Sequence, residues 1–296
     1  MSRLVARAER WLFGPEAGGR LRLVQAGFAL VIVARLALGP HRQLAGQPPA
    51  LFRPPLLLSW LDAIPQAEVL VLVQVVGVAA GVAVIAGRWT RLAFPLAWAA
   101  LLFLDALLAS RGKFMHNDVL LLLAAVPMLA APRGSRWFDQ RPSVRFGWPV
   151  RSAMVVIAGA YTFSGVAKLV TSGPAWVTSD NLRYVLAAGA RSDRPPTHAI
   201  AEFVVARPGL AHLVAFGALA LELCFVLILF APRLRPWFAV AAAGLHASIW
   251  LTLGLDYWSW VAVDLIVLVD WNRRVPGWAG RLAPGRWIVS RAPPAA

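Results

Sequence analysis

Lysine is almost missing from this chain. Of 29 basic residues only Lys113 and Lys168 carry an amine, and the rest are arginines. Cysteine is missing but for Cys224, which excludes an internal disulfide and a thiolate metal cluster. No His-x-His or His-Glu-x-x-His spacing occurs, so no metal is expected. Charge of either sign is scarce, at 15% of residues against 59% hydrophobic, which excludes an ordinary soluble domain. The net charge of +15 is spread over short loops between apolar runs. It is therefore no footprint for nucleic acid, and anionic lipid headgroups are its natural partners. No small-x-small cleavage site follows the apolar run 23–39, so that run reads as a first span rather than a signal peptide. No inverted repeat relates the two halves, which argues against a transporter.

What is present is a succession of apolar runs, with mean hydropathy +0.65 over 296 residues. The chain reads as an all-α, polytopic integral membrane bundle. Residues 1–20 form an amphipathic interfacial segment, in which Arg3, Arg7 and Arg10 share one helical face opposite Leu4, Ala8 and Trp11. Residues 21–272 form the bundle, and 273–296 a basic tail. Spans are expected near 23–39, 68–87, 91–109, 117–132, 151–170, 209–231, 236–254 and 257–271, about eight in all. The segment 171–208 is the longest external one, with a short helix expected in SDNLRYVLAAG from its Ser/Asp start and Gly stop. With both termini cytoplasmic, nineteen of the 29 Lys/Arg face the cytoplasm and eight face out, while Arg35 and Lys168 fall within spans. The positive-inside rule favours that orientation in a cell membrane.

The stretch YTFSGVAKLVTSGPAW, 161–176, holds the lysine that needs explaining. An ionisable group in hydrocarbon is costly and marks a functional site by default. Arginine stays charged in a protein, whereas a desolvated lysine can act as a base. Tyr161, Ser164, Gly165 and Lys168 fall at i, i+3, i+4 and i+7, so they share one helical face. The plainer explanation is a lysine snorkelling from a helix end.

Other polar groups gather near the same predicted boundary. Arg35 and Asp105 lie near the outer ends of their spans and are candidates for a structural ion pair. His116, Asn117 and Asp118 open the fourth span, where the carboxylate could orient the imidazole as a base or the group could simply cap a helix. Glu222, at mid-span, needs a cation, with His246 one candidate. Asp256, Trp260 and Asp264 recur at i, i+4 and i+8. Together these residues imply a polar cavity in the outer leaflet, roofed by 171–208.

Three stretches in order carry a resemblance. AGAYTFSGVAKLVTSGPAW looks like the Y-x-x-(A/S)-G-x-x-K-L…W element of the HTTM family, the membrane domain shared with vitamin K-dependent gamma-carboxylase. RGKFMHNDVLLLL is similar to that family's His/Asn segment at a span entrance. The run from Ala220 to Trp271, with Glu222 and His246, resembles its closing helices. The resemblance implies a carboxylase-type lyase chemistry in which the element's lysine deprotonates reduced vitamin K, and the hydroquinone then reacts with oxygen to make the base that carboxylates glutamate. Carried over, Lys168 is the catalytic base and His116 and His246 are catalytic cavity histidines. Tyr161, Ser164, Gly165, Asn117 and Trp176 then line the place of a menaquinol-like quinol. The implied setting is a bacterial inner membrane, with a secreted peptide or protein as the further substrate. Ala167 stands where the carboxylase has a second lysine, and the chain ends soon after its last span. Protein glutamate carboxylation by this chain alone is therefore not expected. The alternative is a non-catalytic quinone- or lipid-binding protein, or an accessory factor for maturing a secreted peptide.

Overall fold

A computed structural model describes residues 3–111, 116–189 and 197–274. Lys113 and the tail beyond 274 lie outside the described residues. The chain is helical almost throughout. In order it forms α1 (Arg3–Leu12), α2 (Gly18–Leu38), α3 (Ala67–Ile85), α4 (Thr90–Ala109), α5 (Val119–Leu129) and α6 (Val144–Ser172). Then follow α7 (Ala175–Thr178), α8 (Asn181–Gly189), α9 (Thr197–Val205), α10 (Pro208–Cys224), α11 (Leu227–Phe230), α12 (Arg235–Leu253), α13 (Trp258–Leu268) and α14 (Trp271–Arg274). Two short strands, β1 (Glu16–Ala17) and β2 (Pro142–Ser143), pair antiparallel just before α2 and α6.

Among the described residues, five helices are long and apolar enough to cross a membrane: α2, α3, α4, α6 and α12. A sixth is reached if the pair α9 and α10, bent by 105°, counts as one. The bend falls at Arg207-Pro208, where proline lacks the N–H that a continuing helix needs. The apolar helices α5 and α13 have 11 residues each, roughly 16 Å at 1.5 Å per residue, against about 30 Å of hydrocarbon. The chain is thus a multi-pass helical membrane protein.

The centre of the bundle is α2. It is apolar between Gln25 and Arg35, and Leu21, Phe28, Ile32 and Leu36 are fully enclosed. It packs on α3, α4, α5, α6 and α13. Gly77 lets α3 approach it closely, since a Cβ there would stand 2.7 Å from both Leu36 and Ala100. Arg22, 2% exposed, donates to the carbonyls of Val84 and Ile85, closing the otherwise open C-terminal end of α3. Near the start of α6, Arg151 holds the segment that follows α1, donating to the carbonyls of Gly14 at 2.7 Å and Pro15 at 3.1 Å.

One expected span is interrupted. The run 209–231 is helical only to Cys224, turns through Phe225 and Val226, and resumes as α11. The Phe225 and Ile228 amides donate to carbonyls three residues back, a 3₁₀-like tightening. No Gly or Pro lies in the break. Phe225 instead turns inward to stack on Tyr161, with ring centroids 3.9 Å apart.

Candidate functional site

The β1–β2 pairing starts α2 and α6 at the same end of the bundle, so both run toward the other end. Arg35 sits in the last turn of α2, and Lys168 one turn before the end of α6. Each anchors a polar cluster.

The first cluster grows from one face of α6. Lys168 Nζ donates to both carboxylate oxygens of Glu222 on α10, the longer contact being 2.5 Å. Ser164, one turn back, accepts from Lys168 at 3.2 Å and donates to Glu222 at 3.2 Å. Gly165 makes this possible: a Cβ there would meet Glu222 Cβ at 3.1 Å and Leu223 at 3.0 Å. A larger residue would push α10, and the carboxylate with it, away from the lysine. The Trp176 ring on α7 lies 5.2 Å from Nζ, a cation–π distance. Its indole N–H is shielded from solvent and has no acceptor.

Two turns back, the Tyr161 hydroxyl donates to Asp264 on α13 at 2.7 Å and lies 2.8 Å from Nε2 of His246 on α12. Asp264 is fully buried, His246 is 7% exposed and Tyr161 is 3% exposed. If the tyrosine gives its hydrogen to Asp264, its oxygen accepts from His246 Nε2–H, which leaves Nδ1 as a bare acceptor. Nδ1 of His246 and Oδ1 of Asp264 have no partner in the structure. Phe225 stacks below Tyr161, while Trp260 meets it edge-on at 5.7 Å and His246 at 5.5 Å. The result is a buried, hydrogen-bonded trio walled by aromatic rings.

The second cluster surrounds Arg35. Its guanidinium donates to Asp118 Oδ2 from Nε at 2.7 Å and to Asp256 Oδ2 from Nη1 at 2.8 Å. Arg35 therefore pairs with Asp118 and Asp256, not with the expected Asp105, whose Oδ2 is buried without a partner. A cavity of about 540 Å³ opens here, with Arg35, Asp105, Asp118, Asp256, Leu108 and Trp258 in its wall. Lys168 does not line it. The single cavity expected from the sequence is thus two clusters. The turn between α12 and α13 joins them: Asp256 serves the cavity, while Tyr257 lies 5.3 Å from the His246 ring and Trp260 packs on the trio.

The candidate residues divide accordingly. Tyr161, Ser164, Gly165, Lys168, Trp176, Glu222 and His246 belong to the first cluster. Glu222 takes Lys168 as its cation, not the suggested His246. Asn117 lines the cavity and donates to the Asp256 carbonyl. His116 does not join His246: its side chain is exposed, and its carbonyl accepts from Trp260 Nε1 at 3.1 Å. Asp264 and Asp256 were noted from their i, i+8 spacing, but their partners Tyr161 and Arg35 were not, and Asp256 lies in the turn before α13 rather than on one helical face with Asp264. Among the described residues no group of three His, Cys, Asp or Glu could hold a metal. No family model, no curated protein and no solved structure matches the chain.

Proposed function

We propose that this membrane protein is of the vitamin K-dependent gamma-carboxylase-like class, and that Lys168 is a base toward a lipid-soluble quinol. The observation that carries the reading is the joint placement of Lys168, Glu222 and Ser164 beside an unpartnered indole N–H. A buried donor with no acceptor costs about 1–3 kcal/mol, a cost that a ligand oxygen would relieve once the Trp176 ring shifts to meet it. A reduced quinone supplies such an oxygen, together with ionisable hydroxyls and two reducing electrons.

The paired groups exchange protons without a change in net charge. Nζ passes a proton to the Glu222 carboxylate, which leaves a neutral amine beside a neutral acid. Nζ then accepts a hydroxyl proton from the ligand, and the pair ends one proton richer. Ser164 bridges both partners and holds the geometry. An arginine at 168 would keep the ion pair but could not lose its proton.

In this reading α5, α10 and α13 join the five long helices as spans, giving eight, with both termini cytoplasmic. The arginine-rich loops at 88–91, 133–151 and 233–235 then share one side, as the positive-inside rule favours. The site lies in the outer leaflet of the cell membrane, within reach of a quinone from lipid and of a secreted peptide. The test is oxygen-dependent consumption of quinol by the purified full chain in lipid nanodiscs, with oxygen as the electron acceptor. The wild type consumes menaquinol, and Lys168→Ala and Lys168→Arg are equally inactive while still folded. Turnover by the arginine variant excludes the base role.

A second reading is favoured by how fully Glu222 engages the amine. A closed pair also suits a non-catalytic quinone- or lipid-binding protein, or an accessory factor for peptide maturation. It predicts menaquinone binding with no turnover in any variant.

A further inference from the structure

The other end of the bundle, where α2, α6 and α12 begin, is not used by the quinol reading, and the inference from it stands independently. Arg20, Arg151 and Arg235 come close enough there to act on one another, with Glu16 and Asp270 as the carboxylates among them. Both carboxylates already face Arg20, at 2.9 and 4.0 Å, and Glu16 also faces Arg151 at 3.9 Å. Arg151 commits its Nη groups to the carbonyls of Gly14 and Pro15. Arg235 is left over. Half-buried, it donates only from Nε, to the Ile228 carbonyl at 2.8 Å, and it enters no ion pair among the described residues. Its Nη groups have no partner and, unlike Nε of Arg20, they are not sealed from solvent. A partly desolvated cation beside two like charges is costly, and an anion arriving from outside relieves it.

The surroundings indicate what kind of anion. Arg233, two residues earlier, is exposed and likewise enters no hydrogen bond or ion pair among the described residues. Arginine presents a planar fork that matches two phosphate oxygens at once. Phe230 is 77% exposed, Trp237 72% and Val240 61%, so large apolar side chains flank the two arginines and continue along the start of α12. Trp237 and Val240, three residues apart, share one helical face. Because α12 is one of the helices long and apolar enough to cross a membrane, that face meets acyl chains, with the tryptophan at headgroup level. The unpartnered guanidinium groups therefore stand at the lipid boundary, and the anion that reaches them there carries acyl chains. A general attraction of basic loops to anionic lipid is spread over the surface, whereas this surplus is fixed at one point between helices, the setting that suits a phospholipid head group. We infer that the start of α12 is a binding site for an anionic phospholipid, its phosphate held by Arg235 and Arg233 and its acyl chains lying along Trp237 and Val240.

The test titrates lipid into the purified full chain in detergent and reads bound lipid by native mass spectrometry. Phosphatidylglycerol is the probe, and phosphatidylcholine with the same acyl chains is its zwitterionic match. The wild type binds phosphatidylglycerol at least about fivefold more tightly than phosphatidylcholine. Arg235→Gln and Arg233→Gln each weaken phosphatidylglycerol about fivefold, the weight of one arginine near an anionic lipid surface, and leave phosphatidylcholine unchanged. Arg88→Gln, at an exposed arginine in the turn between α3 and α4, changes neither. If Arg235→Gln does not fold, Arg233→Gln decides alone. Equal binding of the two lipids, no loss in either variant, or the same loss in Arg88→Gln would overturn the inference. Displacement of phosphatidylglycerol by an equal concentration of inorganic phosphate would overturn it too, by showing a site for a free anion.

Discussion

Lys168 meets one carboxylate, whereas Arg35 meets two and leaves a third without a donor. Both clusters lie where α2 and α6 finish, so position along the bundle does not explain the contrast. The packing does. Around Lys168 two helix faces touch along their sides, brought together at Gly165, and the charges close one to one. Around Arg35 the ends of α2 and α4, the start of α5 and the α12–α13 turn converge end-on. Helix faces interdigitate, but helix ends do not, and the space left between them is the cavity. A closed pair can hold and pass a proton. The two clusters share the stretch 256–260, made of the α12–α13 turn and the first residues of α13.

The comparison can be broken in several ways. The largest effect is expected at Lys168: Lys168→Arg should lower the initial rate of quinol consumption at least about a hundredfold, the usual weight of a positioned base. Next is Arg35→Leu, which strands two carboxylates and should cost about 3–5 kcal/mol in unfolding measurements. By contrast, Asp256, with 46% of its side chain exposed, should cost under about 1 kcal/mol as Asp256→Asn. Comparable losses in both would mean that the Arg35 cluster is as closed as the lysine's. Tyr161→Phe should cost about 1–3 kcal/mol, because Asp264 and His246 both lose their partner, and urea or SDS unfolding reads it directly. The smallest effect belongs to Asp105→Asn. It removes a charge that has no donor, so thermal unfolding should be unchanged or shifted upward.

The face of α6 was legible in the sequence because it follows from helical spacing alone. Tyr161, Ser164, Gly165 and Lys168 needed only the 3.6-residue period, and all four are engaged on that face. Trp176 was singled out only by the resemblance of its stretch to a family element, and its ring lies 5.2 Å from the Lys168 nitrogen. What spacing cannot give is the partner across the bundle. Glu222 and Arg35 both read as needing an opposite charge, but choosing Lys168 and Asp118 over His246 and Asp105 depends on which helices touch. The break after Cys224 was equally hidden, since LELCFVLILF contains no residue that interrupts a helix by its own chemistry. At the break Phe225 stacks on Tyr161. His116 misled for the opposite reason. Its sequence neighbour Asp118 suggested a local pair, but the carboxylate turns to Arg35.

The most direct test of the account is a double-mutant cycle between positions 168 and 222, read by unfolding in nanodiscs. Lys168→Met and Glu222→Leu should each cost about 3 kcal/mol, because each strands a charge, while the double variant should lie within about 1 kcal/mol of the wild type. Simple additivity of the two losses would contradict the closed pair, and with it the site built around this lysine.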